Sequence, residues 1–260
     1  MIMLNKAKTL EGYKLDSIDG DIGRIKDIYF DDKFWTVRYL VVEAGDWITP
    51  KMVLISPYAL ISVDQEDRDI QVNLTKAKIK DSPSYNLDKP VSRQFEDAYY
   101  GYYGWPSYWE GDDRWGKYDS IMRDPKKWGI ANQGGKTWNP NLRSTHKVSG
   151  YHIQATNGEI GHIEDFIIDD DRWTIRYFII DTKNWLQGSG KKVLISPQWI
   201  KNIDWRDSKM FVDLSCEDIK QAPEYTESSL LTRDCESKFW GHYSRQGYWD
   251  DELIPMKGSS

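Results

Sequence analysis

Cysteine is nearly absent from this chain: Cys216 and Cys235 are its only two, and no CxxC joins them. That argues against a disulfide-stapled secreted fold and against a thiolate zinc site, and it points to a reduced, cytoplasmic setting. Long apolar runs are missing too. Mean hydropathy is −0.70, and no stretch approaches the ~18 residues of a membrane-spanning helix. The opening MIMLNKAKTL carries no apolar signal-peptide core, so no leader is expected. Basic blocks are also lacking: 35 Lys and Arg stand against 41 Asp and Glu, a net charge of −6. Binding to a phosphate backbone relies on clustered cations, so nucleic acid is not an expected partner.

Aromatic residues, by contrast, are abundant, at 14% of 260 residues. Each buries a large area, so low hydropathy is compatible with a folded core. The length suits one large domain or two of ordinary size.

An internal repeat decides between these. Residues 12–42 align without a gap on residues 150–180, 138 positions later, with 13 identities in 31. VLISP then occurs at 53–57 and again at 193–197, now 140 positions later, so two residues are inserted in the second copy, within the loop 185–191. The 140 offset persists through Pro83 and Pro223, Tyr85 and Tyr225, Gly101 and Gly241, Tyr103 and Tyr243, and Trp109 and Trp249. Residues 119–146 have no counterpart and read as a connector. The expected division is therefore 1–118, a connector 119–146, and 147–260.

Within each copy, Asp19-Gly20 and Asn157-Gly158 suggest type I′ hairpin turns. The runs WTVRYLVV and WTIRYFII, β-branched and aromatic, read as strands, with Asp31-Asp32 and Asp169-Asp170 marking solvated turns before them. VLISP is a strand stopped by proline, and IQVNL and MFVDL alternate as a further strand. One helical turn follows at 75–80 and 215–220, with Thr75 and Ser215 as N-caps. Short strands, tight turns and a single helical turn predict an all-β fold of two tandem small β-barrels, each followed by an aromatic-rich arm.

The pattern of Gly-Tyr, D-G-x-I-G-x-I-x-D, a double Asp, W-T-x-R-Y and VLISP resembles the PRC-barrel family. That domain occurs in the cytoplasmic part of the photosynthetic reaction-centre H subunit and at the C-terminus of the ribosome maturation factor RimM. The resemblance spans about residues 10–85 and 148–225. It implies a β-barrel used for protein contacts and assembly, with no catalytic residues common to its members. The chain departs from the H subunit in lacking its membrane helix, and from RimM in lacking its separate N-terminal domain.

Few residues have the pattern of a chemical site. The glycines lack Walker spacing, the acidic turns lack EF-hand spacing, and Ser56 and Ser196 have no nucleophile elbow around them. His152, His162 and His242 stand opposite Lys14, Arg24 and Tyr102 in the repeat, and His146 lies in the connector. No catalytic residue, cofactor or metal is therefore expected. Arg38 and Arg176 alternate onto an apolar strand face, and each needs a carboxylate partner there. Asp27 and Asp165 in the neighbouring strand are the expected partners, as structural ion pairs.

The arm at 99–118 holds nine aromatics in 20 residues, with only Arg114 and Lys117 as basic neighbours. It is expected to pack over its barrel. Trp105 and Trp115, with Trp47 and Trp185, are the candidates left for an interface. The expected function is a non-enzymatic protein-interaction or assembly module. The alternatives are a peripheral component of a photosynthetic or electron-transfer membrane complex, and a hydrolase with its site between the barrels, using His162 or His242.

Overall fold

From Thr36 on, the run WTVRYLVV becomes a central strand whose residues are buried on both faces. The computed structural model describes residues 3–45, 51–83, 85, 90–109, 139–183, 190–226 and 231–252. These are mostly sheet, with fourteen strands and short helices. No helix among them is long and apolar enough to cross a membrane. The chain divides into two units: Met1–Val148 together with Phe166–Arg176, and Ser149–Asp165 together with Tyr177–Ser260. Most of the expected connector and the end of the first arm lie outside the described residues, as do Trp47, Trp115 and Trp185.

The first unit runs β1 (Leu4–Lys6), α1 (Ala7–Leu10), β2 (Lys14–Ser17), β3 (Gly20–Asp31), β4 (Thr36–Ala44), β5 (Lys51–Ile55), a 3-10 turn (Pro57–Ala59), β6 (Leu60–Asp64), β7 (Asp69–Val72), α2 (Lys76–Lys80), α3 (Arg93–Tyr103), β8 (Leu142–Ser144) and α4 (Thr145–Val148). β2, β3, β4 and β5 follow one another antiparallel, β2 also pairs β7 in parallel, and β7 pairs β6. Leu15, Ile25, Ile28, Val37, Tyr39, Leu40 and Ile70 fill the interior at 0% exposure. The far end of β3 pairs with β8, and β1 pairs with residues 167–169 of the hairpin tip Phe166–Arg176. The two hairpin tips also exchange backbone bonds, Val37 N–H to Trp173 O and Ile175 N–H to Trp35 O, both 2.7 Å. Trp35 and Trp173 hold φ of 56° and 53°, left-handed values that bulky residues rarely adopt. Their carbonyls are the acceptors of that exchange, so the surrounding ladder holds the strained backbone in place.

The second unit contains β9 (His152–Ala155), β10 (Gly158–Asp169) up to Asp165, β11 (Thr174–Asp181) from Tyr177 on, β12 (Lys192–Ile195), β13 (Ile200–Asp204), β14 (Lys209–Val212), α5 (Cys216–Gln221), α6 (Arg233–His242) and α7 (Tyr248–Glu252). The pairings repeat those of the first: β9 antiparallel to β10, β9 parallel to β14, β14 antiparallel to β13, β11 antiparallel to β12. The second glycine of each D/N-G-x-I-G motif marks a close backbone approach. A Cβ at Gly23 would lie 1.9 Å from the Glu43 carbonyl oxygen, and one at Gly161 would lie 2.1 Å from that of Asp181.

Two turn expectations are corrected. The first hairpin turns at Ile18-Asp19 and Thr156-Asn157, with Ser17 opposite Gly20 and Ala155 opposite Gly158. None of those turn residues has positive φ, so the turn is not type I′. Asp19 and Asn157 are used otherwise: they accept from Lys76 N–H at 2.7 Å and Cys216 N–H at 2.8 Å, helping to cap α2 and α5. The acidic turns are also not simply solvated. Asp31 and Asp169 are 4% and 0% exposed, and each accepts backbone N–H groups of its own turn.

Candidate functional site

Thr75 and Ser215 cap α2 and α5 as expected, and Ser92 and Thr232 start α3 and α6 in the same way. The capped start brings Arg93 and Glu96, and 140 residues later Arg233 and Glu236, onto one face three residues apart. Each glutamate points into its own unit. Glu96, 0% exposed, accepts from Tyr39 Oη at 3.0 Å, Tyr108 Oη at 2.5 Å and Asn139 Nδ2 at 3.2 Å, with Arg93 Nη1 at 2.9 Å. Glu236 accepts from Tyr177 Oη at 2.6 Å and Tyr248 Oη at 2.9 Å, with Arg233 Nη1 at 3.1 Å. Burial pushes the Glu96 carboxyl upward, while Arg93 and the hydroxyl donors oppose the rise. Outside the arginine, Trp109 and Trp249 close the arrangement, their rings 4.0 and 4.2 Å from the guanidinium carbons.

The helix also carries Tyr99, Tyr100 and Tyr103 into the core, and Trp105 stacks on Tyr103 at 4.4 Å and 10°. The described start of the aromatic arm, Tyr99–Tyr103, is therefore the end of an α-helix clamped by a carboxylate, and what reasoning from the sequence missed is the glutamate. The signal was present as S/T-R-x-x-E followed by Tyr-Trp, repeated at the 140 offset.

Arg38 finds a different partner from the one expected, Asp31 in place of Asp27, and Arg176 is held by the matching Asp169. Arg176 donates from Nε at 3.0 Å and from Nη2 at 2.7 Å to Asp169, and Arg38 Nη2 lies 3.8 Å from Asp31. Register explains the first-copy pairing. Tyr29 faces Tyr39 and Phe30 faces Val37, so Arg38 is the extra residue of a β-bulge, turned toward the hairpin end. Simple alternation along β4 does not hold there. Asp27 instead accepts from Ser144 Oγ at 2.6 Å and Thr145 Oγ1 at 3.0 Å at the start of α4. Asp165 is buried, and Asp169 holds the Arg176 fork. Arg38 also lies 4.1 Å over the Tyr108 ring, which joins the ion pair to the clamp of its unit.

A cleft of about 430 Å³ in the first unit is lined by Leu60, Ile61 and Val63 of β6 and by Asp170, Asp171 and Trp173 of the hairpin tip.

The family model for the PRC-barrel domain matches residues 140–217. Residues 140–217 are a PRC-barrel domain. No curated protein compared with the chain is a match. The PRC-barrel match runs from the segment before β8 into the start of α5, so α6 and its clamp lie C-terminal to it.

Most of the remaining candidate side chains have local structural partners. In the PRC-barrel domain, His152 Nδ1 is 2.6 Å from Glu159 and faces His162 across the β9–β10 ladder. His242, beyond it, bonds the Asp218 carbonyl at 3.0 Å. Ser56 and Ser196 accept from Tyr58 and Gln198 N–H at the start of each 3-10 turn. Glu11, Asp27 and His146 present ligand-type atoms within 4.8 Å of one another. His146 Nε2 is 2.9 Å from Glu11, which raises the imidazole pKa, and both Asp27 oxygens already accept hydrogen bonds. As a metal set this trio would have to give up those bonds.

Proposed function

We propose that the chain is a non-catalytic, cytoplasmic assembly module, a duplicated PRC-type barrel that works by binding protein partners. At family level, the PRC-barrel domain suggests protein interaction or assembly. The observation that carries the reading is the fate of the ionisable groups kept in both copies. Arg38 and Arg176, Asp31 and Asp169, Arg93 and Arg233, and Glu96 and Glu236 are all engaged in holding strands, turns and helices together. A catalytic acid or base needs a reach to substrate that such groups do not have. The first half supports the same reading through its repeat of the D-G-x-I-G, W-T-x-R-Y and VLISP segments.

The test is chemical crosslinking in the source cell with the intact chain, followed by purification and mass spectrometry. A stoichiometric protein partner is the expected result. Recovery of the chain alone, together with ester or amide hydrolysis that disappears in His162→Ala or His242→Ala, would replace this reading with the enzymatic one.

A further inference from the structure

Strand β6 pairs with β7 on one side, and among the described residues no strand pairs with its other edge. Open edges are normally blunted, above all by lysine. The internal repeat supplies a control. In β13 the position matching Ile61 is Lys201, which is ion-paired with Asp213 at 2.7 Å. In β6 the same position is Ile61, 62% exposed, one of the few large apolar side chains so placed among the described residues. The hairpin tips differ in charge as well. Asp171 borders the cleft, whereas the matching residue of the first copy is Lys33. Asp170 is held by Met3 N–H and Asn5 Nδ2, while the Asp171 carboxylate is exposed. One copy therefore has a charged strand edge, and the other a strand edge with an aliphatic floor and an acidic rim.

We infer that this cleft docks an extended segment of a protein partner, carrying an aliphatic residue beside a lysine or arginine. The aliphatic side chain packs on Ile61, Val63 and Trp173, the cation meets Asp170 and Asp171, and the open edge of β6 offers backbone groups to the segment. A net charge of −6 favours encounter with a basic segment over an acidic one. The inference rests on the assembly reading above and names the surface that serves it.

The experiment pans a phage-displayed random heptapeptide library on the full-length protein and synthesises the enriched peptides. The expected motif is Val, Ile or Leu next to Lys or Arg. Binding of that peptide should weaken by about tenfold or more in Ile61→Lys, as for loss of a central anchor. Ile61 is exposed and lysine occupies the matching position of the repeat, so the variant should keep its melting temperature and circular dichroism spectrum. In Asp171→Lys the selected motif should turn from basic to acidic. Enrichment of acidic peptides by the natural protein, or of none that depends on Ile61, overturns the proposal. So does a concentration-dependent dimer that Ile61→Lys abolishes, since the cleft would then hold a second copy. If a crosslinked partner is retained equally by Ile61→Lys, the cleft assignment fails and the assembly reading stands; if no partner crosslinks to the natural protein, the reading itself fails.

Discussion

Arg176 and Asp169 form a two-bond pair between groups 4% and 0% exposed. Removing one side leaves the other charge buried without compensation, which costs on the order of 3–5 kcal/mol. Arg176→Ala should therefore lower the urea midpoint sharply with little change in slope, and chemical denaturation followed by tryptophan fluorescence measures both. Asp32 behaves differently. Burial pushes its carboxyl up to about 7, against the pull of Arg143 at 2.9 Å. The unfolded value is about 3.9, so between the two pH values the folded chain holds a proton that the unfolded chain has released. This contribution to stability is complete below about pH 4 and is lost as pH rises through about 7. Melting temperatures across that range should fall less steeply in Asp32→Asn; an unchanged profile would remove Asp32 from the account.

At the scale of elements, the clamped helices α3 and α6 explain why aromatics cluster after each set of strands. A helix of ten or eleven residues is marginal alone. Here it is held through one buried carboxylate, which gathers tyrosine hydroxyls from a strand and from the segment after the helix. Glu236→Ala leaves Tyr177 and Tyr248 without their acceptor and Arg233 without its anion. The expected loss is about 3–5 kcal/mol, the scale for breaking one side of a buried pair, seen as a lowered melting temperature and faster amide exchange in α6. The helix was hard to read from sequence. Its buried positions Glu96, Tyr99, Tyr100 and Tyr103 have helical spacing, but one is charged and exposed aromatics such as Tyr102 blur the stripe.

At the scale of the molecule, the first unit draws on both halves of the sequence. β8, α4 and the tip Phe166–Arg176 lie in the C-terminal half of the chain, yet they cluster with the N-terminal strands. β8 extends the sheet at β3, and β1 extends it at residues 167–169. A protease site introduced between residues 110 and 138 and then cut should yield two fragments that co-elute as one species in size-exclusion chromatography. They should separate only in denaturant. Separation in native buffer would mean that the connecting chain, rather than these strand pairings, holds the halves together.

The sequence alone carried the recurrence of segments at a constant offset, the all-β class, the PRC-barrel resemblance, the principal strands and the Thr75 and Ser215 caps. Each of these rests on local chemistry: β-branched runs, hydroxyl caps, prolines after VLISP, and residues recurring at a constant offset. Tertiary structure decided the rest. A single bulged residue in β4 turned Arg38 from Asp27 to Asp31, because alternation along a strand is reset wherever an extra residue is inserted. Likewise, Asp19 and Asn157 stay in their turns while their side chains cap helices, and the capped N–H groups lie more than fifty residues away in sequence. Glu96 and Glu236 became buried centres because donors distant along the chain converge on each, and no local pattern encodes that convergence.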